Sequence, residues 1–246
     1  MKTCLNCNNK FEGNYCNNCG QKDIEVRITL KMIFTDFAKT YFSVDTTVYK
    51  TLIGLISHPG QLINDYLAGK RKLYFAPFQF FLLFMTIYLL TLNYFGDGIF
   101  EMFGRGIQSD NQTAIKNVEV IQAFVRKNLN LLYFVLTPVL AYFIKVFFKK
   151  NKFNFAETLI FSFYIVGVGA FLSTFVAFIS LYSSKLFILK AAIILGYFPF
   201  AIAKFTNQTG FLGFMKSFFT VLLSYIVFLS FVVLLGTLYV FFFLKQ

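Results

Sequence analysis

From Ser217 to Leu244 the chain runs 28 residues without a charged side chain. Wound as a helix at about 1.5 Å per residue, such a stretch more than covers the ~30 Å hydrocarbon core of a bilayer. Four further apolar runs accompany it, Leu73 to Phe95, Leu129 to Phe148, Thr158 to Leu181 and Leu186 to Ala203. Runs of that length predict membrane-spanning helices. The expected fold class is therefore all-α, a polytopic membrane protein of about five transmembrane helices. Composition agrees: 57% of the 246 residues are hydrophobic and only 14% are charged, which lies outside the range of soluble domains.

The formal charge of +12 would suggest nucleic acid in a soluble domain, but here the basic residues flank the apolar runs. Gly69-Lys70-Arg71-Lys72 precedes the first run, Phe147 to Lys152 ("FFKKNK") closes the second, and Lys204 and Lys216 bracket the loop after the fourth. Basic residues mark the cytoplasmic side, so all three positions agree on an N-terminus inside and, with five spans, a C-terminus outside. Arg126 and Lys127 dissent at the end of an outer loop spanning 96–128, whose acidic residues count little in this rule. This loop is expected to carry a short helix near Ala114 to Lys127. Met1 to Gln21 has no apolar h-region, so no cleaved signal peptide is expected.

All four cysteines lie in "CLNCNNKFEGNYCNNC", as Cys4-x2-Cys7 and Cys16-x2-Cys19. This is the spacing of a small zinc ribbon, in which two knuckles bring four thiolates onto one tetrahedral ion. The position after each second cysteine favours a left-handed backbone, which Gly20 supplies and Asn8 tolerates. Two disulfides would instead need an oxidising compartment and an exported N-terminus. About twenty residues cannot build a core alone, so the metal has to supply the folding free energy, on the order of 10 kcal/mol. Four thiolates leave no coordination position for a substrate, so the expected cofactor is structural zinc on Cys4, Cys7, Cys16 and Cys19.

Three domains are expected: a zinc ribbon over 1–22, cytoplasmic amphipathic helices over 23–72, and the membrane domain over 73–246. Within the second, Leu30, Ile33, Phe34, Phe37 and Tyr41 form one apolar face. A second helix begins at Asp45 with Val48, Leu52, Leu55 and Ile56 inward. It stops at His58-Pro59-Gly60, where Pro59 suits the first turn of a third helix with Leu62, Ile63, Tyr66 and Leu67 inward, closed by Gly69.

Few polar groups remain near the spans. Glu157 falls where the third begins; it is either a candidate intramembrane polar site or a helix-start residue favoured by the dipole and by Lys150 or Lys152. Lys190, near the outer end of the fourth, is expected to snorkel. Gly167-Val168-Gly169-Ala170 is expected to serve close helix contact. The only histidine, His58, precedes a proline and reads as a turn or cap residue.

The blocks "CLNC...YCNNCGQK", "TLIGLISHPGQLINDYL" (Thr51 to Leu67) and "GKRKLYFAPFQFFLLF" (Gly69 to Phe84) resemble a bacterial family of membrane proteins of unknown function that begin with a zinc ribbon. The resemblance spans residues 1–85 and thins beyond them. It implies the architecture and a bacterial cytoplasmic-membrane location. Pro59, Gly60, Tyr66, Gly69, Lys70, Arg71, Tyr74 and Pro77 match the family pattern and are expected to form a seam beneath the first span. Lys70 and Arg71 are candidates for lipid head-group contact. Where the family often has Glu followed by His, this chain has Glu157 followed by Thr158.

The functional expectation is a non-enzymatic adaptor or scaffold whose ribbon contacts a cytoplasmic protein partner, with membrane lipids as the other partner. The alternative is a transporter or lipid-handling protein with a site among the helices near Glu157. No catalytic constellation can be assembled from the residues.

Overall fold

A computed structural model describes residues 1–23, 29–30, 46–95, 120–121, 123–125, 127–208 and 210–243. Residues 31–41 of the amphipathic helix expected from Leu30 to Tyr41, Arg126 and most of the 96–128 loop lie outside them; Leu30 itself is exposed. The described architecture is all-α apart from a small N-terminal hairpin, in which β1 (Lys2–Thr3) pairs antiparallel with β2 (Lys10–Phe11).

Helix α1 (Thr46–Ser57) is followed by α2 (Pro59–Leu67), with Pro59 in the first turn and Gly69 closing the segment at φ +105°. Val48, Leu52 and Leu55 face inward as expected, but Ile56 is exposed and Thr51 is fully buried. The buried stripe is thus 48, 51, 52 and 55, and polarity misplaced one register position. Thr51 is satisfied there: its hydroxyl donates to the Thr47 carbonyl at 2.6 Å and accepts the Phe75 N–H at 2.9 Å.

The long helices are α3 (Pro77–Phe95), α4 (Leu129–Phe147), α5 (Phe155–Ser180) and α8 (Phe211–Phe243). Between α5 and α8 lies a segmented stretch: a 3-10 turn (Ser184–Ile188), α6 (Leu189–Ala192), a π turn (Ile193–Tyr197) and α7 (Phe198–Phe205). The boundaries shift from expectation for local reasons. Tyr74 is extended, so α3 waits for Pro77, while Asn154 caps α5 so that it begins at Phe155, three residues before the expected start. Three stretches, within 71–94, 155–180 and 211–242, are long and apolar enough to cross a bilayer; α4 is a shorter apolar helix and the fourth run is segmented.

Helix α5 is the centre, contacting α3 and α4, with 83% of its apolar window buried against 28% for α8. Its glycines explain the closeness. A Cβ at Gly167 would stand 2.8 Å from the Phe80 ring and 3.3 Å from the Phe81 backbone, and one at Gly169 would stand 2.7 Å from Phe198. Helix α8 instead turns Phe219, Ile226, Leu229, Val233, Leu234 and Phe242 outward. Leaving such side chains in water forgoes roughly 1.5–3 kcal/mol each, so an apolar solvent on that side accounts for the sequence.

Candidate metal centre and the seam beneath it

The two cysteine knuckles are built alike, twelve residues apart. Cys4 N–H donates to Asn9 O at 2.9 Å and Asn8 N–H to Cys4 O at 2.9 Å; in the second, Cys16 N–H donates to Gln21 O at 2.8 Å and Gly20 N–H to Cys16 O at 2.9 Å. The pairing of Thr3 with Lys10 recurs as that of Tyr15 with Lys22. Asn8 and Gly20 take the expected left-handed conformation, at φ 60° and 69°. The sequence carries this repeat as C-x-x-C-x-x-K at Cys4 to Lys10 and again at Cys16 to Lys22.

The four Sγ atoms lie within 4.8 Å of one another, with Cys4 to Cys19 and Cys7 to Cys16 each at 3.6 Å. A tetrahedron with metal–sulfur bonds of about 2.3 Å has edges of about 3.8 Å, so the arrangement is already close to that of a coordinated ion. All four cysteines are free thiols. Their surroundings differ: burial pushes the Cys4 thiol up to about 11, whereas the backbone N–H of Cys19, helped by that of Asn18, brings Cys16 down to about 6. Cys19 is pushed up by burial, but the Gln21 N–H and the Asn6 side chain turn the balance downward. Donors aimed at sulfur are what a thiolate ligand needs.

The module is docked rather than tethered. The buried Gln21 side chain donates to Gly69 O at 2.8 Å and accepts from Lys72 N–H at 3.2 Å. Leu5 lies against Gly69, where a Cβ would fall 2.6 Å from its Cδ1. Sequence reasoning missed Gln21, because a neutral amide in a polar block carries no periodic signal.

Below this dock four of the eight expected seam residues, Tyr66, Lys70, Arg71 and Tyr74, make ion-pair, hydrogen-bond or ring contacts. Lys70 pairs with Asp65 at 2.8 Å, Tyr74 donates to the same carboxylate at 3.3 Å, and Arg71 lies over the Tyr66 ring at 5.8 Å. Tyr66 meets Tyr164 edge-on at 5.7 Å, and Tyr164 donates to Phe75 O at 2.6 Å. Pro59 and Gly60 are buried, Gly60 against the backbone of Lys204, and Pro77 opens α3. Lys70, a candidate for lipid contact, thus has its ammonium on a carboxylate of its own chain. His58 is exposed at the start of α2 with no side-chain cap bond.

Residues 45–89, which hold all eight, match a family described as a protein of unknown function (DUF3667). No curated protein and no solved structure matches the chain.

Glu157 stands in a capping box: its carboxylate accepts Asn154 N–H at 2.8 Å, and the Asn154 side chain accepts Glu157 N–H at 2.9 Å. Lys190 does not reach outward to snorkel. Its Nζ donates to the hydroxyls of Tyr88, at 2.6 Å, and Tyr133, at 2.9 Å, inside the bundle. Spacing along the sequence could not reveal this direction, since a π turn starts three residues later and changes the helical register.

Proposed function

We propose that the chain is a multi-pass protein of a bacterial cytoplasmic membrane, with five spans, N-terminus inside and C-terminus outside, and that it works as a non-enzymatic adaptor. In this reading the ribbon holds structural zinc, which suits four sulfur ligands with no open coordination position. The observation that carries it is the dock: Gln21 and Leu5 fasten the cysteine module onto the Gly69 turn at the approach to α3. A head fixed to the membrane domain on one side and bearing an exposed Tyr15 on another can hold a cytoplasmic protein at a set position against the membrane.

The experiment is co-purification from native membranes with metal analysis of the same sample. Wild type is expected to carry one zinc per chain and a reproducible protein partner. The Cys16→Ser/Cys19→Ser variant is expected to lose both while remaining in the membrane fraction. An unchanged set of partners in that variant overturns the adaptor reading, and a metal-free wild type overturns the zinc.

A further inference from the structure

Several helices converge on one small cavity in the bundle. Tyr88 comes from α3, Tyr133 from α4, Lys190 from α6 and Tyr225 from α8; together with Ser173 of α5 they line a space of about 20 Å³. That is room for one water-sized group. Ile193 and Ile194, the first residues of the π turn, form part of its wall. Such turns are rare and recur at functional sites.

The hydrogen atoms decide what the cavity suits. An ammonium only donates, so Tyr88 and Tyr133 receive its hydrogens on their oxygens; the two phenols also hydrogen-bond to each other, which leaves one of their two O–H protons to give. The positive charge, whose nitrogen also lies 4.9 Å and 5.6 Å from the two ring centroids, strengthens both as donors. Tyr225 adds a third phenol. Among the described lining residues none is Asp or Glu. Polarised donors set in an otherwise apolar lining, around the volume of one oxygen, repel cations and suit an oxyanion.

We propose that Lys190, Tyr88, Tyr133 and Tyr225 form an oxyanion-binding site within the helix bundle, which takes one carboxylate or phosphate oxygen of an anionic molecule. The rest of that molecule lies between the helices, outside the cavity. The anion arrives either from the bilayer, as a lipid head group, or from the aqueous phase. The inference is independent of the adaptor reading, since it involves no residue of the ribbon or the seam.

The test uses the full chain in phosphatidylcholine nanodiscs with two probes, phosphatidylglycerol doped into the bilayer and inorganic phosphate in the buffer. Bound lipid is counted by native mass spectrometry and phosphate by equilibrium dialysis. The expected result is saturable binding of one probe at one per chain, and which probe binds identifies the source. Binding is expected to weaken by about tenfold or more in the Tyr88→Phe/Tyr133→Phe variant, which keeps both rings and loses both hydroxyls, and to vanish in Lys190→Gln. Thermal unfolding of each variant is followed alongside; if Lys190→Gln does not fold, the phenylalanine pair decides alone. Absence of saturable binding to wild type, or wild-type affinity in either folded variant, overturns the proposal.

Discussion

Replacing Gln21 with alanine tests whether the cysteine module is held by its side-chain amide. The change deletes the bonds to Gly69 O and from Lys72 N–H but spares the knuckle, because Cys16 N–H donates to the Gln21 backbone carbonyl. The Gly69 carbonyl keeps the Arg71 N–H at 2.9 Å, and Lys72 is exposed, so water can reach its amide. Neither partner is left stranded, and the loss is the net value of two ordinary bonds, about 1 kcal/mol each. About 2 kcal/mol shifts the docked–undocked balance by roughly 30-fold. Trypsin reads this directly, because Lys70, Arg71 and Lys72 lie beneath the module and cleavage follows the open population when reclosing is fast. Cleavage at these sites in vesicles exposing the N-terminus should accelerate by roughly that factor. Asn9→Ala, which removes the equivalent amide of the first knuckle and only an exposed bond to Asn17, should leave the rate unchanged. Gln21→Ala and wild type cut at rates within about threefold of each other would refute a docking role for the amide.

Gly60→Ala puts a methyl group against the Lys204 backbone, 2.6 Å from its carbonyl carbon. It should destabilise the protein by about 1–3 kcal/mol, seen as a lower melting temperature, while Gly196→Ala, with open space around it, should not lower it. Asn154→Ala should cost about 0.5–2 kcal/mol through the lost cap. Glu157→Gln keeps an acceptor for Asn154 N–H and should unfold as wild type does; a large loss of stability would contradict the capping account. Acidification should release the metal, because all four sulfurs bind it as thiolates and protons compete with it for them. A chelating dye reports the release, and occupancy undiminished in strong acid would count against thiolate ligation.

The parts most legible in the sequence were those where one residue type has one physical use. Two C-x2-C pairs, a left-handed Gly20, a proline opening α2 and small residues at Gly167 and Gly169 each point to a single local geometry. What escaped depends on relations between distant segments. Gln21 gains its role only when Gly69 arrives beneath it, 48 residues on. Thr51 reads as polar surface until Phe75 supplies a backbone N–H. Lys190 resembles any lysine near a helix end until the register on either side of the π turn is known. The start of α8 at Phe211 was hidden by Lys216, which reads as a loop boundary although it lies over the Phe148 ring at 4.6 Å.

The seam joins early and late parts of the chain. Tyr197 donates to Leu55 O across 142 positions, and Gly60 rests on Lys204. During synthesis the cysteine module and α1 emerge long before α7 exists to meet them. The four cysteines are therefore in place to take up a metal ion while the membrane region is still being made, but the platform on which the head rests is finished only when the nascent chain is more than four-fifths complete.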